Sequence, residues 1–419
     1  MNKIDKLLEE LCPNGVEFKK LGDLGSFYGG LTGKGKNDFK DGNAKFVSYM
    51  NVYSNPSLDL NISSLVRILD GEKQNKVQYG DILFTGSSET PDECGMSSVV
   101  TEHPLEDLYL NSFCFGYRLH EPQVFNPHFL KHIFRSFELR QKIILTANGV
   151  TRFNISKKRF SNISIPLPPL EVQNEIVGIL DRFADLAASL QAELQARIQQ
   201  YEYYRNKLLS FNEIGGGTQD VTWMKMNEVF EIRNGYTPSK SKQEYWTDGT
   251  IPWFRMEDIR INGRILEDAI QHITPEAVKG GRLFPANSII VATTATIGEH
   301  ALIIADSLAN QQFTNLQIRK SLTHMLDMKF FYYYMFIIDE WCKKNTHVSG
   351  FESVDMAKFK NLLIPIPSIS EQHRIVEILD RFEQLTTDLQ TGLPAEIKAR
   401  QQQYEYYRNR LLTFKRKTA

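Results

Sequence analysis

Two stretches of this 419-residue chain repeat almost letter for letter, and that repetition constrains its architecture more than any other feature. Ile179-Leu-Asp-Arg-Phe183 returns as Ile378-Leu-Asp-Arg-Phe382, and Gln200-Tyr-Glu-Tyr-Tyr-Arg-Asn206 returns as Gln403 to Asn409. Ile165-Pro-Leu-Pro168 pairs with Ile364-Pro-Ile-Pro367, Gln173 with Gln372, and Leu208-Leu209 with Leu411-Leu412. Self-similarity of this extent marks a duplicated unit. The offset grows from 199 (179 to 378) to 203 (201 to 404), so the second copy carries four extra residues, around Thr391-Gly-Leu-Pro394.

Both copies space apolar residues by three and four: Ile176, Ile179, Phe183, Leu186, Leu190 and Leu194, against Ile375, Ile378, Phe382, Leu385, Leu389 and Leu393. This is the pattern of a coiled-coil seam. Pro168-Pro169 precedes the first helix, and Ser368 with Glu371 reads as a capping box for the second. The helices are expected over about 170–211 and 369–414. Four inserted residues make a stutter that a seam survives, with Pro394 kinking or briefly interrupting the second helix. Each stripe packs either on the other copy or on its own globular domain.

The segments between the helices are duplicated more weakly. Leu21-Gly-Asp-Leu24 and Gly30-Leu-Thr32 align with Met226-Asn-Glu-Val229 and Gly235-Tyr-Thr237. Phe46-Val-Ser-Tyr-Met50 faces Trp253-Phe-Arg-Met-Glu257, and Gly80-Asp-Ile-Leu-Phe-Thr85 faces Asn287-Ser-Ile-Ile-Val-Ala292. Short β-rich runs followed by helical stretches near 127–146 and 327–345 indicate one α+β domain used twice. The expected boundaries are a domain at 1–165, a helix at 166–212, a linker at 213–221, a second domain at 222–363, a helix at 364–414 and a tail at 415–419. The expected fold is therefore α+β: two duplicated domains separated by a long antiparallel two-helix coiled coil, pseudo-two-fold, on a rod of roughly 60 Å.

A hydrophobic content of 42% supports sizeable cores, while a net charge of −1 makes any nucleic-acid surface a local one. Four cysteines without C-x-x-C spacing argue against a zinc site or disulfide framework and for a reduced, cytoplasmic protein. The N-terminus is charged and amphipathic rather than a signal peptide, and the apolar run Phe330–Ile338 is too short to cross a bilayer, so no membrane role is expected.

The order globular, helix, globular, helix, with I-P-L-P-P-L-E-V-Q, I-L-D-R-F and Q-Y-E-Y-Y-R-N-K-L-L, resembles the specificity subunit of Type I restriction-modification systems over essentially the whole chain. The resemblance implies two target-recognition domains, each reading half of a split site in double-stranded DNA. It also implies two methyltransferase subunits and restriction subunits as partners. No cofactor is expected in this chain, with S-adenosylmethionine, ATP and Mg belonging to those subunits.

Gly30-Leu-Thr-Gly-Lys-Gly35-Lys36 has phosphate-loop spacing, but Asn37 replaces the required Ser or Thr. Lys34, Lys36, Lys240 and Lys242 read instead as contacts to DNA phosphates, or as ordinary solvated lysines. No methyltransferase tetrapeptide is present, and Asn126-Pro127-His128-Phe129 reads as a helix start. No catalytic or metal-binding set is assigned. Base readout favours side chains with paired donors and acceptors, which nominates Tyr49, Asn51, Ser87, Ser88, Thr151 and Arg152 in the first copy. Arg255, Asp258, Thr294 and Ser349 are their counterparts in the second. Tyr201, Tyr203, Tyr204 and Arg205, with Tyr404, Tyr406, Tyr407 and Arg408, are too closely spaced to share one seam; they are expected to face a partner, which the resemblance assigns as the methyltransferase subunit, or alternatively to pack on the adjacent recognition domain.

Overall fold

The computed structural model describes residues 3–211, 221–349, 351–387 and 392–417, with the side chains of residues 348, 349 and 351 set aside. The chain forms two compact units, residues 1–191 with 396–419, and residues 192–395. Each is an α+β body built on the same plan.

In unit one a sheet runs Gly25–Gly29, Cys114–Leu119, Ile82–Thr85, Ser97–Val99, with antiparallel neighbours. Unit two repeats it as Phe230–Asn234, Phe313–Ile318, Ser288–Ala292, His300–Ile303, and adds Ile265–Leu266 in parallel at the edge. A smaller sheet follows in each, centred on Ala44–Val47 and on Ile251–Phe254, and each of these strands has one parallel partner, Leu108–Leu110 or Leu308–Ala309. A two-strand ribbon, Glu17–Lys20 with Ser164–Leu167 or Thr222–Lys225 with Leu363–Ile366, brings the start and end of each domain together.

The central strands are buried on both faces, and alternation explains why. Ile82 and Phe84 enter one core while Leu83 enters another. Ile289 and Val291 likewise face one core, Ile290 and Ala292 the second. A period of two sends successive side chains to opposite sides, so a continuous apolar run marks a sheet sandwiched between two cores. The turn into each strand needs a left-handed residue, Gly80 at φ +84° and Asn287 at φ +58°; glycine adopts it freely and asparagine tolerates it.

The domains are anchored to the helices by two equivalent buried amides. Gln173, fully buried, donates from Nε2 to the carbonyls of Pro168 (2.8 Å) and Val124 (3.0 Å) and accepts the Asn126 N–H at 2.8 Å. Gln372 donates to Pro367 (2.8 Å) and Met325 (3.1 Å) and accepts from Asp327 at 2.8 Å. Asn126 and Asp327 are themselves the N-caps of the domain helices Pro127–Ile133 and Met328–Lys344, so the Asn-Pro-His-Phe segment does begin a helix. In the first copy that helix stops and resumes as Phe137–Ile144.

The first long helix runs Leu170–Leu209; the second is described as Ile369–Thr387 and Leu393–Leu411, with Gly392 in a bend and Pro394 in the first turn of the second piece. Proline is acceptable there because the first helical N–H groups have no partner to lose. Leu389, Thr391 and the glycine-rich linker 212–217 lie outside the described residues. Ser368 accepts the Glu371 N–H at 3.3 Å, but the Glu371 carboxylate pairs with Arg374 at 2.7 Å rather than reaching back, so the capping box is half formed.

Both packing alternatives for the stripes are realised. Val172, Ile176 and Leu180 sit in the unit-one core, and Ile375, Val376 and Leu379 in the unit-two core. Beyond those turns, helix meets helix: Phe183 stacks on Tyr407 at 5.2 Å in unit one, and Phe382 lies 6.4 Å from Tyr201 and 5.7 Å from Tyr204 in unit two. The earlier part of the first helix thus meets the later part of the second, and the reverse, as antiparallel helices require.

A polar knot locks unit one further. Asp181 takes Lys131 at 2.9 Å and His132 Nε2 at 2.6 Å, and Tyr404 stands 3.1 Å from His132 Nδ1. One proton, on Nε2, satisfies both contacts, with the Tyr404 hydroxyl donating to Nδ1. Burial pushes the His132 pKa down, which keeps the ring neutral. Burial would raise the Asp181 carboxyl, but bonds from His132 and Lys131 outweigh it and leave it near about 2.

Replacing Gln173 or Gln372 by Leu strands one N–H and two carbonyls, and each dry backbone group costs on the order of 1–3 kcal/mol. Denaturant midpoints are expected to fall for either variant and to fall additively for both, since the sites are in separate units; unchanged midpoints exclude this anchoring role. A folded-state His132 pKa below the ordinary value of 6.5 means stability is fully present above 6.5 and is lost as pH falls through that value toward the lower folded pKa. His132→Gln keeps both hydrogen bonds without titrating, so its melting temperature is expected to drop less than that of the parent chain between about pH 7.5 and about pH 5.5. Equal drops would show that His132 does not set this sensitivity; His128 and Lys131, which also face Asp181, are present in both proteins.

Candidate nucleic-acid interface

In unit one, three separate segments nominated by sequence converge on Ser87. The Tyr49 hydroxyl donates to the Ser87 carbonyl at 2.9 Å, and Arg152 Nη2 donates to Ser87 Oγ at 3.2 Å. Ser88 donates to Glu93 at 3.0 Å, and Glu93 also accepts Tyr53 at 2.9 Å; these bonds hold its carboxyl below the usual range, that from Tyr53 most. Tyr53 in turn stacks on Tyr49 at 6.2 Å. Thr151 and Arg152 are exposed on a hairpin between Ala147–Asn148 and Phe153–Ile155, whose second strand pairs with Ser87–Ser88. Beside them Phe113 stands 58% exposed, its ring 5.6 Å from the Arg152 guanidinium.

Asn51 is not available for readout. Its Oδ1 accepts from Asp59 N and Asn55 Nδ2, and its Nδ2 donates to Asp59 O, so both ends of the amide brace a loop. Its equivalent, Asp258, is fully buried and accepts the Arg255 N–H at 2.7 Å and the Ile270 N–H at 2.7 Å, capping the helix Met256–Asn262. Both positions organise the loop that follows, which corrects their assignment as base contacts.

In unit two, Arg255 is half-buried, 3.2 Å from Glu257 and 5.9 Å from the Trp253 ring. Thr294 donates to the Gln311 carbonyl at 3.5 Å and bridges Ser353, as Ser87 bridges Asn154 in unit one. The side chain of Ser349 lies outside the described residues.

The four lysines separate. The Lys34 side chain is 7% exposed and spends its ammonium on the Arg67 carbonyl and Glu72, both at 2.6 Å, so it is corrected from phosphate contact to internal brace. The Leu69 N–H first, then Lys34, draws the Glu72 carboxyl down to about 2. Lys36 and Lys240 are exposed, and Lys242 is exposed with Tyr245 OH at 3.1 Å.

The tyrosine motifs divide as helical geometry demands. Tyr201 is buried in the unit-two core and Tyr404 half-buried against the unit-one core, each under its i+4 arginine at 5.3 Å. Tyr204 and Tyr407 face the helix seam, while Tyr203 and Tyr406 are 61% and 59% exposed. Arg205 additionally lies 4.2 Å from the Phe336 ring. Of the eight residues nominated toward a partner, Tyr201 and Tyr404 turn instead to the cores and Tyr204 and Tyr407 to the seam, which corrects those four.

Sequence reading missed Phe113, Gln311 and Gln312. The signal was present: Asn111-Ser-Phe-Cys114 and Asn310-Gln-Gln-Phe313 stand 199 apart, the offset of the helix repeats.

A family model described as Type I restriction modification DNA specificity domain matches residues 13–200 and again 219–399. The chain is 54% identical over 203 residues to the Type I restriction enzyme EcoprrI specificity subunit of Escherichia coli, covering 47% of this chain and 51% of that protein. It is 39% identical over 279 residues to the EcoR124I/EcoR124II specificity subunit of the same organism, covering 62% and 64%. The matches thus span between half and two thirds of these relatives' own length. A chain from a structural study of complex assembly and conformational transition in the type I R-M system superposes with a TM-score of 0.67 at 17% identity, covering 95% of this chain and 97% of that one. The HsdS subunit from Thermoanaerobacter tengcongensis gives 0.51 at 18%, covering 97% and 99%; both likenesses concern the fold. With each repeat matched in turn and most of the sequence covered, the chain belongs to the Type I restriction modification DNA specificity domain family.

Proposed function

We propose that this chain is the DNA-reading subunit of a Type I restriction-modification complex, acting in the cytoplasm, without catalysis of its own. Target-recognition domains at 1–165 and 222–363 each read one half of an asymmetric, interrupted site, and the helices at 166–212 and 364–414 space them and carry two methyltransferase subunits, which restriction subunits join. S-adenosylmethionine, ATP and Mg belong to those partners. The observation that carries this reading is the presence of two copies of one DNA-specificity domain, each in its own compact unit. Unlike side chains at equivalent surface positions make the two halves of the site unlike.

Within the domains, Tyr49, Thr151 and Arg152 form the reading surface of the first, and Arg255, Thr294 and Ser349 that of the second; Ser87 and Ser88, nominated with them, are buried and hydrogen-bonded to Arg152 and Glu93, which corrects them to a support beneath that surface. Lys36, Lys240 and Lys242 contact phosphates, which position the protein without specifying sequence. On the helices, Tyr203 and Tyr406 offer large exposed rings of the kind that anchor interfaces.

Selection from a random duplex library, by the chain together with its methyltransferase subunits, is expected to return two unlike motifs at a fixed gap. One uninterrupted motif would overturn the reading. Exchanging residues 222–363 for those of a relative is expected to change one half alone; a change in both halves would refute independent domains. Tyr203→Ser and Tyr406→Ser are expected to leave the melting temperature unchanged and weaken methyltransferase binding about tenfold or more, whereas undiminished affinity in both would place the interface elsewhere.

A further inference from the structure

The two domains share one over-determined backbone turn that carries different exposed side chains. In unit one, Asn111 N donates to Val47 O at 3.1 Å, Phe113 N to Asn111 Oδ1 at 2.9 Å, and Cys114 N to Asn111 O at 3.2 Å. Gly86 N closes the turn on Phe113 O at 2.8 Å. In unit two, Asn310 N donates to Phe254 O at 3.0 Å, Gln312 N to Asn310 Oδ1 at 3.0 Å, Phe313 N to Asn310 O at 3.2 Å, and Thr293 N to Gln312 O at 2.9 Å. Each of these four bonds has its counterpart; the asparagine Nδ2 differs, going to Val47 O in the first turn and to Gln312 Oε1 in the second. Each turn also presses on a glycine: a Cβ on Gly30 would stand 2.0 Å from the Asn111 carbonyl oxygen, and one on Gly235 2.2 Å from that of Asn310. No side chain fits there, so the turn cannot relax toward the preceding loop.

What differs is the cargo. Ser112 and Phe113 are exposed on the first turn; on the second, Gln311 is exposed and Gln312 half-buried. The orientation of the Gln312 amide follows from its neighbour. Asn310 Oδ1 is committed to a backbone N–H, so the other end of that amide, Nδ2, is a donor, and the Gln312 atom it meets at 3.1 Å is Oε1. With its acceptor occupied, Gln312 has the donor Nε2 left to offer. The turn stands in the same cluster as nominated contacts: Arg152 reaches the Phe113 ring, and Thr294 donates to the Gln311 carbonyl.

Resting on the DNA-reading function proposed above, we infer that this turn is a base-reading element in each domain. Gln312 donates to an acceptor on a base edge, and Phe113 makes an apolar contact of the kind that suits a thymine methyl group. In the major groove, guanine N7 and O6, adenine N7 and thymine O4 are acceptors, whereas cytosine N4 and adenine N6 are amino donors. A rigid backbone with exchangeable side chains keeps each contact in register while changing what it prefers.

The substitution Gln312→Glu tests this sharply. A carboxylate still accepts the Asn310 Nδ2 bond, so the turn survives, but the outward donor becomes an acceptor. Selections with the full chain and its methyltransferase subunits are expected to show one position in one half-site shifting toward the bases that offer an amino donor, cytosine or adenine, and away from guanine and thymine, by about tenfold or more, with the other half untouched. Phe113→Ala is expected to lower discrimination at one position of the opposite half. Should the parent chain return an interrupted two-part site while both variants return that same site with the same preferences, the turn does not read bases and this inference is wrong while the function stands. A parent chain that returns no interrupted site takes both down together. Unchanged melting temperatures in the variants separate lost contact from lost fold.

Discussion

A buried glutamine, used twice, decides how each α+β domain sits on its helix. Gln173 and Gln372 each satisfy two carbonyls and one amide N–H that would otherwise be dry, and they do so where the helix begins and where the domain's own helix is capped. Breaking either amide would leave backbone groups with no alternative partner, so the geometry is held by the cost of its loss more than by the strength of its bonds. An amide carries no charge, so this attachment is independent of pH and little affected by salt, which suits a protein proposed to work against phosphate-rich DNA. The charged contacts are added around it and differ between copies: Asp181 engages His132 and Lys131, whereas its equivalent Asp380 engages Tyr333 and Lys329.

Duplication followed by divergence has kept backbone bonds and exchanged the side chains that make them. At the end of the domain helix, Arg135 donates to the Ser97 carbonyl and, through Nη2, to the carbonyls of Val52 and Tyr53. Phe336 holds the corresponding place in unit two, and the corresponding carbonyl, that of His300, is taken by Arg264 at 3.0 Å. Arg264 then rests 5.1 Å from the Phe336 ring. A carbonyl without a strand partner needs a donor, and either position can supply one. The frame therefore tolerates wide change in its loops provided such backbone groups stay satisfied.

The parts legible in sequence were those governed by periodicity and by local backbone demand. The helices appeared within a few residues of their ends because apolar spacing and prolines act locally, and Gly80 aligned with Asn287 because both meet one left-handed turn. The site was less legible because the fate of a polar loop residue depends on what folds against it from far away. Lys34 looked like a phosphate contact until Glu72 arrived, 38 residues on, to neutralise it. Asn51 and Asp258 carried the right groups for adenine or cytosine, yet backbone N–H groups 8 and 12 residues later claimed them. Phe113 escaped because an aromatic residue flanked by strand residues reads as core, and only the Asx turn at Asn111 shows that it points out.

Identical sequence does not give the two tyrosine motifs identical surroundings. In unit two the Arg205 guanidinium lies over the Tyr201 and Phe336 rings, an arrangement in which each π face stabilises the cation. In unit one Arg408 keeps its tyrosine, but the position of Phe336 is held by Arg135, whose pKa is pushed down to about 10 by burial first and then by Arg140 and Arg408. One copy places its arginine against a ring, the other near a second buried cation. The hydroxyls diverge as well: that of Tyr404 meets His132, while that of Tyr201 has no comparable histidine partner among the described residues. Two copies of one partner would thus meet matching exposed tyrosines, Tyr203 and Tyr406, backed by unlike interiors. What the two positions share is therefore the exposed ring, and what distinguishes them lies in the layer beneath it.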